Sequence, residues 1–187
     1  PAWSLVYGSL YAFLIVLPVL VVRQPEHIRR TVHAYLSVWI LSYVIFLVYP
    51  TVASRPQDVL GDGFGVWGLR SLYGADPPYN CFPSIHVAHS FVSALTLHRV
   101  HKRLGLIALL CATLVALSTL YTKQHYVVDV IAGMLLALGA YVVFIKRYPR
   151  DRMCHAERMV APFMAIAVLV VIVIGVAAFW AAYTLGA

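Results

Sequence analysis

The sequence predicts an all-α, polytopic membrane protein built as a bundle of six transmembrane helices, and three observations carry that expectation. The 187 residues are 62% hydrophobic and only 11% charged, against roughly 45–50% apolar and about 25% charged in ordinary soluble domains. Mean hydropathy is +0.84, more apolar surface than a soluble core of this size absorbs. Six apolar runs recur along the chain, near 2–22, 31–52, 84–98, 104–121, 126–146 and 159–186. A crossing of the hydrocarbon core takes about 20 such residues. Lipid offers backbone groups no water, so each run reads as a helix.

The first run starts at Ala2 and carries neither a basic leader nor a small-residue cleavage site, so it reads as a spanning helix and not as a signal peptide. The chain lacks an initiator Met, which points to processing or to an upstream segment. After the second run comes one long outer loop, 51–82. The third run is the shortest: Ser84 to His98 covers about 22 Å at about 1.5 Å per residue, against a hydrocarbon core of roughly 30 Å. Its start is expected to be recessed below the outer surface. The fifth run holds Gly133, Ala137, Gly139 and Ala140, small residues that let helices approach closely within a bundle. No repeat or low-complexity tract divides the chain, so 1–187 reads as one membrane-embedded domain.

The bases orient the bundle. Arg23, Arg29, Arg30, Arg99, Lys102, Arg103, Lys146, Arg147, Arg150, Arg152 and Arg158 fall on one side, which the positive-inside rule makes cytoplasmic. They read as topology anchors toward anionic lipid, and the net charge of +7 calls for no nucleic acid partner. Arg55, Arg70 and Lys123 stand against the rule on the outer side. A phosphate-bearing ligand explains bases placed there; pairing with Asp58, Asp62 or Asp76 in a solvated loop is the plainer alternative. Cys81, Cys111 and Cys154 lie in an outer loop, an apolar helix and an inner loop, too scattered for bridge geometry. Cys81 reads as a small packing residue.

Of seven carboxylates, Glu26, Asp58, Asp62, Asp76, Asp151 and Glu157 read as loop residues, and Asp129 alone sits inside an apolar run. An ionisable group there calls for a partner or a function. His125 lies one helical turn earlier on the same face. The pair reads as a carboxylate orienting an imidazole and stabilising its charge, or as a structural bond closing the helix start. A second histidine follows a helix-start signal, Pro83-Ser84. Such starts leave free N–H groups that hold anions. His86 in this first turn belongs at the same membrane depth as His125, on another helix. His89, one turn further in, reads equally as a partner of the site or as polar packing. His27, His33, His98, His101 and His155 read as interfacial.

Pro83-Ser84-Ile85-His86, then Ser118, then His125-Tyr126-Val127-Val128-Asp129, resembles the type 2 phosphatidic acid phosphatase superfamily, which also includes the vanadium haloperoxidases and the sphingolipid phosphotransferases. That pattern has three parts: a Lys and an Arg-Pro; Pro-Ser-Gly-His; and Ser-Arg, five residues, His, three residues, Asp. The resemblance covers roughly 49–133. It implies His125 as the nucleophile that becomes a phosphohistidine, Asp129 as its orienter and His86 as the acid for the leaving alcohol. It implies Arg55, in Arg55-Pro56, and Ser84 as phosphate ligands, with neither metal nor cofactor. In-line phosphoryl transfer needs such donors around the equatorial oxygens and a placed nucleophile.

Three positions depart from the pattern. Val48 stands where the first part has lysine, Ile85 replaces the glycine, and Thr119 replaces the third part's arginine. Lys123 and Arg70 compensate chemically, without a positional match. These departures, with Asn80-Cys81-Phe82 before the proline, look like the inositol phosphorylceramide synthase branch. Many members carry three helices before the second part, and here two are visible; a missing upstream helix is one explanation.

The leading expectation is therefore an integral membrane lipid phosphatase, with a lipid phosphate as substrate, membrane lipids as surroundings, and its site on the non-cytoplasmic face of the cell membrane. A lipid headgroup would reach the recessed site sideways. A phosphotransferase that uses an alcohol in place of water shares its first step. The third reading is a non-enzymatic lipid transporter in which His125 and Asp129 relay protons; transporters, however, more often place polar groups near the bilayer midplane.

Overall fold

The computed structural model describes residues 2–56, 58–149 and 154–186. They form seven α-helices: α1 (Ala2–Val21), α2 (Pro25–Val48), α3 (Phe64–Ala75), α4 (Ile85–Val100), α5 (Lys102–Tyr121), α6 (Val127–Ala140) and α7 (His155–Thr184). A π-helical turn, Tyr141–Ile145, continues α6. Five helical spans are long and apolar enough to cross a membrane: Ala2–Val21, Pro25–Val48, Lys102–Tyr121, Val127–Ile145 and His155–Thr184. Arg150, Asp151 and Arg152 lie outside the described residues.

The difference between five such spans and the expected six is α4, 16 residues long, or about 24 Å. It is nevertheless the centre of the bundle, packed against α1, α2, α5, α6 and α7. Its Val87, Ala88, Val92, Ala94 and Leu97 are fully buried, and so are Ser90, Ser93 and Thr96. Each of those three hydroxyls donates to the carbonyl one turn earlier, at 2.8 Å, so protein and not lipid satisfies the polar groups. A helix surrounded by helices has no need of an apolar surface.

Two other expectations are corrected. The basic stretch before residue 31 is helical: Pro25 occupies the first turn of α2, where proline costs no hydrogen bond. Glu26 then pairs with Arg29 and Arg30 at 2.6 Å each, the spacing at which helical charges meet. The loop 51–82, expected on the outer side, contains α3, whose Phe64 and Trp67 pack against Tyr183 of α7 at ring separations of 5.7 and 6.1 Å. Twelve residues, or about 18 Å, are too few to cross, so hydropathy alone did not distinguish α3 from loop.

At the basic end, Glu157 is not the loop carboxylate expected but lies in the first turn of α7, and His27 lies in the first turn of α2. Both are fully buried. Glu157 accepts the backbone N–H groups of Arg23 and Gln24 at 2.8 Å each and meets His27 Nδ1 at 3.0 Å. This clip ties the α1–α2 turn to the first turn of α7. Arg99 donates to the carbonyls of Lys146 and Tyr148 at the same end. The loop 49–82 and the α5–α6 turn lie at the other.

The two halves of that other end meet where α6 crosses the start of α4. Ser84 N–H donates to the Asp129 carbonyl at 3.1 Å. One turn on, a Cβ on Gly133 would stand 2.5 Å from the Ser84 carbonyl oxygen and 3.3 Å from Val87 Cβ. Backbone cannot yield as a flexible side chain can, so Gly133→Ala must push the helices apart. Overpacking of this kind costs about 1–3 kcal/mol. We expect a lower melting temperature in detergent. A variant that melts like wild type would show that the crossing tolerates a methyl group.

Candidate active site

Backbone hydrogen bonds pin the two arms of the loop 51–82 before any side chain is placed. Val52 bridges Tyr79, Ala53 N–H donates to the Pro78 carbonyl at 2.9 Å, and Asn80 N–H donates to the Thr51 carbonyl at 2.7 Å. Thr51 Oγ1 accepts the N–H groups of Cys81 and Phe82 at 2.9 and 3.0 Å. The clasp delivers Arg55 from one arm, and Asp76 and Cys81 from the other, to the mouth of the bundle.

The α5–α6 turn completes the site. The Thr119 carbonyl accepts the N–H groups of Gln124 and His125 at 2.9 and 3.2 Å, and Tyr73 Oη holds the Thr122 carbonyl at 2.9 Å. Lys123 takes φ +56°, the left-handed region that only some residues adopt readily. The resulting reversal leaves Lys123 exposed and turns Gln124 inward, to 1% exposure.

These pieces enclose a cavity of about 260 Å³ whose polar walls include Arg55, Asp76, Asn80, Gln124, His86 and His125. The two imidazoles, from different helices, stand 5.9 Å apart between centroids. His125 Nδ1 lies 2.9 Å from the Cys81 carbonyl oxygen. A carbonyl only accepts, so Nδ1 carries a proton, and in the neutral imidazole Nε2 then keeps its lone pair. Asp129 Oδ2 is 3.6 Å from Nδ1, close enough for charge stabilisation but beyond a hydrogen bond. That oxygen accepts the Tyr126 N–H at 2.8 Å, so the carboxylate also closes the start of α6. The orienting bond expected of Asp129 is thus made by a backbone carbonyl, which no side-chain pattern reveals.

His86 stands edge-on to Tyr11 and Tyr7 of α1, at ring separations of 4.8 and 5.3 Å. His89 is buried one turn deeper, where it accepts from Trp39 Nε1 and donates from Nδ1 to Tyr11 Oη at 3.3 Å. Both its nitrogens are spent, which makes it a brace between helices. Tyr11 touches both histidines.

Arg55 faces the Tyr73 ring at 5.0 Å and donates to the Asp76 carbonyl and to Gln124 Oε1. Among the described residues its Nε is buried without a partner, as is Gln124 Nε2. The Asp76 carboxylate, by contrast, has no hydrogen bond or ion pair among the described residues; burial raises its pKa, against the pull of Arg55 and His125. Cys81 is buried, its Sγ 3.5 Å from the Pro78 carbonyl, and burial pushes its thiol up. That suits packing and not nucleophilic attack. All three cysteines are free.

The structure therefore gathers His125, His86 and Arg55 on one cavity with Asp129 directly behind. Ser84, Lys123 and Arg70 do not line it. Ser84 Oγ caps α4 by accepting the Val87 N–H at 3.3 Å. Arg70 is exposed on α3 and holds the Val59 and Gly61 carbonyls at 2.8 and 2.9 Å. Gln124 and Asp76 went unselected from sequence, although Gln124 directly precedes His125. Among the described residues no three His, Cys, Asp or Glu side chains form a metal-ligating cluster.

This geometry can now be set beside known proteins. No solved structure matches. The chain is 26% identical over 122 residues to a PA-phosphatase related-family protein of Dictyostelium discoideum, covering 58% of this chain and 22% of that one. It is 38% identical over 104 residues to an uncharacterized protein of Methanocaldococcus jannaschii, covering 56% of this chain and 41% of the relative. The chain thus spans less than half the length of either relative. The profile of the PAP2 superfamily matches residues 2–143, which takes in every wall of the cavity, and the chain belongs to that superfamily.

Proposed function

We propose that the chain is an integral membrane lipid phosphatase, cleaving a phosphate ester of a lipid through a phosphohistidine on His125. The observation that carries this reading is the meeting of His125, with its Nε2 lone pair free, and His86 across one cavity that Arg55 also lines. In the first step Nε2 bonds to phosphorus as the bond to the lipid oxygen breaks, and His86 gives that oxygen its proton. Water then attacks phosphorus and passes a proton to the neutral His86; the P–N bond breaks and inorganic phosphate leaves. Asp129 offsets the charge on the imidazole, and Arg55 offsets charge on the transferring group. The first-turn amides of α4 add an anion-binding edge.

In this reading α4 is the sixth spanning helix, shortened so that the cavity lies below the outer surface and a lipid enters sideways. The basic end faces the cytoplasm and the cavity the non-cytoplasmic face of the cell membrane. Transfer to an alcohol is a second reading, supported by the unpartnered Asp76 carboxylate, which can accept a hydrogen bond from an acceptor hydroxyl.

The test is turnover by purified protein in detergent with EDTA, on phosphatidic acid, phosphatidylglycerol phosphate, polyprenyl diphosphate and phosphatidylinositol. Free phosphate without a new lipid is the expected result. A new phospholipid without free phosphate would replace water by an alcohol as the acceptor. Neither product from any substrate would count against both readings.

A further inference from the structure

Gln124 is a large polar side chain at 1% exposure on the wall of the reactive cavity. Buried amides normally satisfy their hydrogen bonds, and exceptions call for an explanation. Here one half of the amide is satisfied and the other is not. Arg55 has only donors, so the group facing its Nη2 must be the amide oxygen; Oε1 makes that contact. The contact fixes the flip of the amide and leaves Nε2, with its two hydrogens, unpartnered. Arg55, which lines the same cavity, likewise has its Nε buried without a partner among the described residues. Two orphaned donors beside one cavity need an acceptor, and a phosphoryl oxygen supplies lone pairs for both.

The charge inventory gives this donor a reason. Among the described residues lining the cavity, Arg55 is the only permanent cation and Asp76 the only carboxylate. Lys123 points to solvent and Arg70 is committed to loop carbonyls. Thr119 does not supply the missing charge either, being fully buried with its hydroxyl donating to the Ala116 carbonyl at 2.7 Å. A neutral donor next to the nucleophile fills the gap without repelling Arg55.

We propose that Gln124 is a direct ligand of the phosphoryl group, its Nε2 donating to a non-bridging oxygen while its Oε1 holds Arg55 in place. The proposal rests on the phosphoryl-transfer reading above and adds to it a ligand with no counterpart in the motif. Gln124 thereby acts as a neutral stand-in for a basic residue.

Orthovanadate is the probe, with Gln124→Glu and Gln124→Met as the variants, purified in detergent. Gln124→Glu keeps an oxygen for Arg55 but has no N–H to offer; Gln124→Met loses both. As a ligand, Gln124 predicts that both variants weaken vanadate inhibition at least tenfold and lower kcat/KM about 10²-fold, the scale of one lost donor at a developing charge. Melting temperature should change little. Wild-type vanadate affinity in Gln124→Glu would overturn the proposal and reduce Gln124 to a positioning residue for Arg55. If Gln124→Glu fails to fold, the structure of the vanadate-bound wild type decides: Nε2 within hydrogen-bond distance of a vanadate oxygen sustains the proposal, and any greater distance overturns it. Wild type that turns over lipid phosphate but binds no vanadate would sink this inference alone. Wild type that does neither would sink the phosphoryl-transfer reading with it.

Discussion

His125→Ala is expected to lower turnover by about 10⁴-fold or more while leaving a folded protein. Removing a nucleophile abolishes the covalent route outright, and losses of about 10⁴–10⁶ follow when such a residue is deleted from a concerted unit. The structural cost is small by comparison. The side chain gives up one hydrogen bond, Nδ1 to the Cys81 carbonyl at 2.9 Å, worth about 1 kcal/mol. The turn itself stays in place, because the Thr119 carbonyl holds the backbone N–H groups of residues 124 and 125. The check is paired: melting temperature in detergent, and phosphate release under EDTA. A normal melting curve with turnover within tenfold of wild type would remove His125 from the chemistry. Vanadate binding is the finer readout, since Arg55 remains when the nucleophile is gone.

How much of this was legible in the sequence depends on where the controlling interactions lie. His125 and Asp129 stand out in the sequence because a charge lies inside an apolar run, and His86 because Pro83-Ser84 marks a helix start. Their approach across 5.9 Å needed only that the runs alternate direction. Gln124, the ligand proposed above, carries no such mark in charge or hydropathy; its place comes from the reversal at Lys123 and from Arg55, 69 positions away. The Cys81 carbonyl was invisible for a simpler reason, being backbone. Arg70 and Lys123 were legible as misplaced charges, but where their side chains go is decided by local turns. In α4 buried hydroxyls hid a central helix from any measure of hydropathy, and in Glu157 and His27 a buried clip looked like two ordinary loop residues. Hydropathy reads the face turned to lipid, and most of this site faces protein.

The second large effect is expected of Arg55→Ala, a loss of about 10²–10³ in kcat/KM, or roughly 3–4 kcal/mol. Part of that is the lost cation. Without Arg55 the one fixed charge lining the cavity, among the described residues, is the Asp76 carboxylate, so the cavity changes sign toward an incoming phosphate. Interactions at this range in a partly desolvated site amount to several kcal/mol per unit charge. The rest is positional. Arg55 holds Gln124 Oε1, the Asp76 carbonyl and the Tyr73 ring, so the truncation also frees the amide beside the nucleophile. Arg55→Lys separates the two contributions. It restores charge but not the planar fork that spans Gln124 and Asp76, so it should recover only part of the vanadate affinity. Full recovery by lysine would mean that charge alone matters. If Arg55→Ala leaves vanadate inhibition unchanged, the phosphate is held elsewhere, and the orphaned donors of this cavity would need another acceptor.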